Sequence, residues 1–339
     1  MESTLDHLRG QVGRRGFAAA AAVVVVLAAA VATPQLLGRR VGVALDDLGH
    51  ADPRWLWLAG LGFVVCLVGA AGAWRSAIGL CDGSLSLGDA CCRFGAGSLA
   101  NTLLPARAGD AVRIALFSRA IPHANRLRTA GGAYAALAAS RAAVLGALVV
   151  GGAAAGVVPL WPLLAAAGLV AIAVAVAALA RRTKTHLLDA FRALGDDPRS
   201  IARLAAWNAG QLGGRLAAAT AVGAALGLHH PLDAAVAIVL ALDVAGLLPL
   251  TPGNIGVTQG AIAIALHAQG TPYGSALAAG IAFHAVETAV GLTIGIASVV
   301  WLAPYPSPGA RRVALLAGAA SCALGIAGAF SATVLVPLV

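Results

Sequence analysis

Charged residues are scarce in this chain: Lys, Arg, Asp and Glu together make up 11% of its 339 residues. Soluble domains usually carry about a quarter, so the composition excludes an ordinary soluble protein. Acidic residues are the scarcer kind, with 14 Asp and Glu against 23 Lys and Arg. Aromatic residues make up 5% and do not alternate with basic ones, which argues against nucleic-acid binding.

Cysteines are few and scattered, and they lack the paired spacing of a zinc site or a disulfide framework. The five are Cys66, Cys81, Cys91, Cys92 and Cys322. Signatures of a serine-hydrolase elbow, a metalloprotease helix and a phosphate-binding loop are also missing. We therefore expect neither an enzyme nor a bound metal or cofactor.

Hydrophobic residues, by contrast, make up 60% of the chain. Several apolar runs reach the roughly 20 residues that cross a bilayer, and they predict an all-α polytopic membrane protein. We predict about seven transmembrane helices, at 17–37, 55–74, 129–151, 157–180, 205–228, 275–302 and 313–336. Trp55 and Trp74 are expected to anchor the second span at the two interfaces. The first run resembles a cleaved signal peptide, but it continues to Leu37, which favours a retained span.

Two segments break the apolar pattern, and each contains proline and glycine. We predict re-entrant broken helices at 94–118 and 232–268, with the breaks at Pro105 and Gly109 and at Pro252, Gly253 and Gly256. Irregular backbone is tolerated at membrane depth only against protein or a water-filled cavity. Paired breaks of this kind point to a substrate site near the bilayer midplane.

The basic residues predict the topology, because cytoplasmic loops are enriched in Lys and Arg. They concentrate at 107–128, 181–203 and 303–312. We therefore expect a cytoplasmic tail at 1–16, a single transmembrane domain at 17–336 in the cell membrane, and an extracytoplasmic carboxyl terminus. The two broken helices then enter from opposite faces. Spaced apolar residues among basic ones predict an interfacial helix at 184–204.

Polar side chains within the predicted spans are the next signal, because a buried charge must face a cavity or a partner. Arg141 follows Tyr134 by one heptad, and Asn208, Gln211 and Arg215 form a stripe on one helix. Asp243 precedes the second break. Glu287 shares a face with His284, Gly280, Gly291 and Gly295. Two interpretations stay open: interhelical ion pairs with close packing at the glycines, or a substrate site.

The first break favours an anionic ligand. Arg107 and Arg113 flank it, and the planar guanidinium matches phosphate in a bidentate manner. Asp110 either orients these arginines or begins the resumed helix. With Arg141 and Arg215, the four arginines exceed the three acids Asp110, Asp243 and Glu287 by one charge. At the second break, Thr251, Asn254 and Gln259 offer uncharged hydrogen bonds.

Both breaks resemble motifs of a known family. Residues 104–113 read Leu-Pro-Ala-Arg-Ala-Gly-Asp-Ala-Val-Arg, similar to the pattern Leu-Pro-Gly-Arg-x-Gly-Glu-x-x-Arg. Residues 252–260 read Pro-Gly-Asn-Ile-Gly-Val-Thr-Gln-Gly, similar to Pro-Gly-Gly-Leu-Gly-Val-x-Glu-Gly. The sequence thus resembles the lysylphosphatidylglycerol synthase transmembrane-region family, also called flippase-like. Two departures from the patterns matter: Ala106 replaces a glycine, and Gln259 replaces an acid.

The resemblance implies an inner-membrane protein that moves a lipid between leaflets. The family's fused aminoacyltransferase domain is not among these residues, so we expect a stand-alone translocating module. Gln259 lacks the carboxylate that would favour a cationic lysyl headgroup. Our leading hypothesis is a translocase for a lipid with an anionic headgroup. The alternatives are an ion-coupled small-solute transporter using Asp243, His284 and Glu287, and an accessory protein for lipid-linked glycan synthesis. Expected partners are the lipid, a second copy of the chain, and a separate lipid-modifying enzyme or glycosyltransferase.

Overall fold

The computed structural model of the protein describes residues 43–103 without 45, 108–122, 125–156, 198–246 and 254–303 without 255, together with the isolated positions 168, 175, 178 and 309. In these residues every regular element is a helix, which confirms the all-α prediction. The helices are α1 (Pro53–Gly79), α2 (Leu87–Leu103), α3 (Ala108–Ser118), α4 (Arg126–Ala154), α5 (Pro198–Ala225), α6 (Pro231–Ala245), α7 (Val257–Ala268) and α8 (Tyr273–Leu302).

Three of the described helices, α1, α4 and α8, are long and apolar enough to cross a membrane. They coincide with the predicted spans at 55–74, 129–151 and 275–302. Helix α5 covers the predicted span at 205–228 but ends at Ala225, because Gly227 turns the chain with a φ of +67°. The predicted tail and the spans at 17–37, 157–180 and 313–336 lie outside the continuous described segments.

Helix α2 begins at Leu87, earlier than the predicted start at residue 94. Ser86 explains the difference, because its Oγ accepts a hydrogen bond from the backbone N–H of Asp89 at 3.0 Å. The same Oγ donates to Asp89 Oδ2 at 2.8 Å. This is an N-terminal cap, and it starts the helix among the polar residues that precede the predicted broken helix.

Each predicted break separates two helices that pack against each other. We call α2 and α3 the first hairpin and α6 and α7 the second hairpin. In the first hairpin the helices approach closely at Gly109, where an added Cβ would collide with the backbone oxygen of Gly97 and the side chain of Asn101. Entry of the two hairpins from opposite faces stays a prediction.

Helix α1 packs along α5 with almost no space between their backbones. A Cβ added at Gly62 would lie 2.8 Å from the backbone nitrogen of Ala218. One added at Gly214 would lie 2.5 Å from the backbone nitrogen of Cys66. Small residues permit such contact between membrane helices, and α1 and α5 share the most extensive contact of the described helices.

Two hydrophobic clusters flank this pair. In one, Phe63 meets Phe283 edge to face with ring centroids 4.9 Å apart, so that α1 holds α8 and the second hairpin. In the other, Trp74 stacks on Phe117 of the first hairpin at 4.6 Å. The prediction that Trp74 anchors an interface was wrong: the side chain is 2% exposed and belongs to the core. Trp55 is exposed.

Helix α8 contacts both hairpins. A Cβ added at Gly280 would lie 2.8 Å from the backbone oxygen of Gln259 in the second hairpin. One added at Gly295 would lie 2.7 Å from Cβ of Leu99 in the first hairpin. These two glycines therefore serve close packing, whereas Gly291 faces open space. Of the predicted interfacial helix at 184–204, residues 198–204 form the beginning of α5, and the rest lies outside the described residues.

Candidate functional site

A polar network closes the first hairpin around the carboxylate of Asp110. Arg113 Nη1 donates to Asp110 Oδ1 at 2.7 Å, and Asn101 Nδ2 donates to the same oxygen at 3.3 Å. The hydroxyl of Tyr134, from α4, donates to Asp110 Oδ2 at 3.3 Å. Asp110 therefore joins both helices of the hairpin to α4, a role larger than that of a residue at a helix start.

Arg113 is held on several sides. Its Nη2 donates to Ser98 Oγ at 2.8 Å, and its guanidinium lies 4.1 Å from the ring centroid of Phe94. The side chain is 14% exposed. The structure thus places Arg113 inside the first hairpin, paired with Asp110. Pro105 and Arg107, the other predicted residues of this break, lie outside the described residues.

A second ionic cluster joins three helices. Arg141 Nη2 of α4 lies 2.6 Å from Asp243 Oδ1 of α6, and Arg215 Nη1 of α5 lies 3.1 Å from the same oxygen. We call these three residues the arginine–aspartate triad. Arg141 is 39% exposed, whereas Arg215 is 15% and Asp243 is 21% exposed. Arg141 is therefore the member most open to a ligand.

The triad lines a small, partly open cleft. The polar residues that line it are Arg141, Asn208, Gln211, Arg215 and Asp243, and the apolar ones are Val144, Leu145 and Leu212. The predicted stripe of Asn208, Gln211 and Arg215 thus faces one cavity.

Helix α4 connects the two polar clusters through one face. Tyr134 contacts Asp110 in the first hairpin, and Arg141, one heptad later, contacts Asp243 in the second. Arg113 and Arg141 are close enough to interact electrostatically. The heptad spacing read from the sequence therefore corresponds to a physical link between the hairpins.

Glu287 lies at the edge of the triad. Its carboxylate interacts electrostatically with Arg215, and its Oε2 is 4.0 Å from Nδ1 of His284 on the same helix. The shared face predicted for His284 and Glu287 is thus a contact between their side chains. Glu287 adds a second acid to a group that contains two arginines.

The second break is shaped by its backbone. Asn254 has a φ of +54° and Gly256 a φ of +84°, both in the left-handed region. Besides glycine, asparagine is among the few residues that adopt this region readily. This explains how Asn254 can occupy a position where the family pattern has glycine. Gln259 Oε1 accepts the backbone N–H of Gly256 at 2.7 Å and so caps the start of α7. Thr251, Pro252 and Gly253 lie outside the described residues.

The charges of the described site cancel. Arg113, Arg141 and Arg215 stand against Asp110, Asp243 and Glu287, three positive charges against three negative ones if all are ionised. The single positive charge in excess that the sequence predicted therefore belongs to Arg107, outside the described residues.

Several partners in these networks were not predicted. Ser98 and Asn101 bind the ion pair of the first hairpin, and Ser140 Oγ accepts a hydrogen bond from Asn208 Nδ2 at 3.0 Å. Ser98 and Asn101 are three residues apart on one helix, the spacing of a shared face. That spacing within the predicted broken helix at 94–118 was the available signal.

The helical bundle, its outward apolar side chains such as Trp57, Leu61 and Ile264, and its buried charges define an integral, multi-pass membrane protein. The sequence model of one protein family, the lysylphosphatidylglycerol synthase transmembrane region, matches residues 17–295, and the chain belongs to that family. Its function is accordingly related to lipids. Among curated proteins, none matches the chain.

Proposed function

We propose that the protein translocates a lipid with an anionic headgroup between the leaflets of the cell membrane. The observation that carries the proposal is the arginine–aspartate triad at a partly open cleft, where α4, α5 and α6 meet. Charged side chains inside a membrane bundle are costly and mark pathways for polar cargo. Family membership relates the protein to lipids and so supports a lipid as the cargo.

The triad offers a way to bind an anion without leaving a charge unpaired. Arg141 and Arg215 donate to the same carboxylate oxygen, so Asp243 keeps Arg215 if Arg141 turns to a ligand. A phosphate on Arg141 would form the charge-assisted, bidentate contact that arginine favours.

The apolar surroundings favour a lipid over a free anion. The cleft is lined by Val144, Leu145 and Leu212 as well as by the triad, and much of the outer surface of the described helices is apolar. A headgroup can therefore enter the cleft while its acyl chains stay in the hydrocarbon. We propose that the two hairpins alternately open this site to the two faces, as broken helices do in transporters.

Reconstitution tests the proposal. Liposomes with and without the purified protein receive traces of acyl-labelled fluorescent phosphatidylglycerol or phosphatidylcholine, and dithionite bleaches the label in the outer leaflet. We expect the protein to make the inner-leaflet phosphatidylglycerol accessible faster than in empty liposomes, with a smaller effect on phosphatidylcholine. Equal bleaching in both kinds of liposome, for every lipid, would refute a translocase.

The His284–Glu287 pair favours a second candidate, an ion-coupled transporter, because Glu287 interacts with Arg215 inside the bundle and lies 4.0 Å from the titratable His284. Such a protein would require a proton gradient, and Glu287→Gln would abolish the gradient dependence. Lipid movement that proceeds equally with and without a gradient, in both the original protein and the Glu287→Gln variant, would eliminate this candidate.

A further inference from the structure

Helix α4 is held against the described bundle differently along its two halves. The first half packs into the hydrophobic cluster around Trp74, and its buried residues there are Ala130, Ala133, Ala136 and Leu137. The ring of Tyr134 stacks on that of Trp74, with centroids 5.5 Å apart. Beyond Ser140, only Val149 and Gly152 of the helix are buried. The apolar anchor of α4 therefore lies in its first half.

The second half of α4 is joined to α5 and α6 by polar contacts. Asn208 Nδ2 donates to Ser140 Oγ at 3.0 Å, and Arg141 Nη2 donates to Asp243 Oδ1 at 2.6 Å. We call these two contacts the latch. The apolar residues that follow it on α4 and touch the cluster around Phe63 are only partly buried, and they are Leu145 and Leu148. Polar contacts between membrane helices stabilise only modestly, so the latch can open without dismantling either hydrophobic cluster.

The latched arrangement leaves polar atoms unsatisfied. Asn208 Oδ1 and Asp243 Oδ2 are buried beneath α4 and have no hydrogen-bond donor among the described residues. Each such acceptor disfavours the arrangement that buries it, by roughly fivefold to a hundredfold in population. An arrangement in which water reaches these two oxygens is therefore close in free energy to the latched one.

We propose that α4 is the gate of the cleft. It pivots where Tyr134 stacks on Trp74, and its second half moves away from α5 and α6 when the latch opens. The residues that α4 contributes to the wall of the cleft all lie in the moving half, and they are Arg141, Val144 and Leu145. The bond from Tyr134 to Asp110 lies at the pivot, so α4 keeps its contact with the first hairpin while it releases the second. The inference rests on the proposed function, since it names the movement that admits a headgroup to the same site.

A reversible cross-link tests whether the gate must move. Ser140→Cys and Asn208→Cys in one chain place two thiols where the original Oγ and Nδ2 are 3.0 Å apart, and oxidation joins them. Labelled phosphatidylglycerol is extracted from the outer leaflet with albumin, because dithionite would reduce the disulfide. We expect oxidation to slow lipid movement at least about tenfold, because a closed lid stops turnover, and reduction to restore it. Each single cysteine variant is a control that oxidation should not slow. Equal movement by the cross-linked and the reduced double variant would overturn the inference.

A chemical measurement tests the opening of the gate without lipid movement. Leu212→Cys puts a thiol on the α5 wall of the cleft, and Cys81 is a buried thiol of the same chain, 4% exposed. Ser140→Ala removes one contact of the latch. We expect it to raise the rate at which a water-soluble maleimide modifies Leu212→Cys by roughly fivefold, and to leave Cys81 unchanged. Thr220→Val is the matched control, because the Thr220 hydroxyl donates within its own helix, α5.

The two measurements separate the gate from the proposed function. If the unaltered protein moves no lipid, the proposed function fails, and the maleimide rates still decide whether α4 opens. A ratio of Leu212→Cys to Cys81 modification that Ser140→Ala leaves unchanged would overturn the gate. An equal rise of that ratio in Thr220→Val would do so too, because the effect would then not belong to the latch.

Discussion

Arg141 of α4 lies 2.6 Å from Asp243 of α6, although the two residues are 102 positions apart in the sequence. This ion pair ties the second hairpin to a helix whose other contact, from Tyr134 to Asp110, reaches the first hairpin. A ligand that takes Arg141 away from Asp243 therefore acts on the link between the hairpins. Helix α4 is the element through which binding at the cleft would bias their arrangement.

The ion pairs of the triad predict how two substitutions change the free energy of unfolding. Asp243→Asn leaves two guanidinium groups beside a neutral amide, and breaking a buried ion pair in this way costs about 3 kcal/mol. Arg141→Gln costs about 1 kcal/mol or less, because Arg141 is 39% exposed and Asp243 keeps Arg215. Thermal unfolding of the purified variants in detergent measures the difference. An Arg141→Gln variant less stable than Asp243→Asn would show that Arg215 does not compensate Asp243.

The packing of α1 against α5 is tested by two neighbouring glycines. At Gly214 an added methyl group meets the backbone nitrogen of Cys66 and the backbone oxygen of Gly62, which cannot move aside. At Gly213 it meets nothing within 4 Å. We expect Gly214→Ala to destabilise the protein by about 1–3 kcal/mol, and Gly213→Ala to leave the unfolding temperature nearly unchanged. Equal effects of the two substitutions would contradict the close approach of α1 and α5.

The first hairpin depends on the shape of the guanidinium of Arg113. Lysine keeps the charge but cannot contact Asp110, Ser98 and the Phe94 ring together, as Arg113 does. We expect Arg113→Lys to lower the unfolding temperature clearly. Arg128→Lys, an exposed position on α4, is the control and should change it little. If the two variants unfold at the same temperature, the network around Asp110 does not stabilise the hairpin.

Gln259 is predicted to act as a cap more than as a ligand. Its Oε1 accepts the Gly256 N–H at the start of α7, so Gln259→Ala should cost about 1 kcal/mol. Gln259→Glu retains the acceptor and places a negative charge at a helix N-terminus, where it is favourable by about 0.3–1 kcal/mol. Circular dichroism during heating should therefore rank the glutamate variant at or above the unaltered protein, and the alanine variant below both. The reverse order would show that the cap is not maintained.

Hydropathy was sufficient to predict α1, α4 and α8, because each is an apolar run long enough to span the bilayer. It missed the start of α2, because Asp89 and Arg93 interrupt the apolar pattern there. The cap at Ser86 begins the helix there, and a cap is a local hydrogen bond that an average over many residues does not register. The prediction for Trp74 failed for a related reason. Its position at the end of a span suggested that it anchors an interface, but its ring stacks on Phe117.

The sequence predicted which site residues share a helix face, but not which of them contact each other across helices. Periodicity placed Asn208, Gln211 and Arg215 on one side of α5, and they do line one cleft. It could not pair Arg141 with Asp243, because such a contact depends on how distant helices pack. The pairing of Arg113 with Asp110 lies within one turn of helix, and its geometry was accessible from spacing alone.

The most direct test of the central claim compares two arginines in the liposome assay with acyl-labelled phosphatidylglycerol. Arg141→Gln removes the exposed member of the triad, and Arg203→Gln removes an exposed arginine of α5 that does not line the cleft. We predict a loss of at least about tenfold in lipid movement for Arg141→Gln, because a charge-assisted contact to the phosphate is gone. Arg203→Gln should retain the original rate. Phosphatidylglycerol movement at the original rate in folded Arg141→Gln protein would contradict the account.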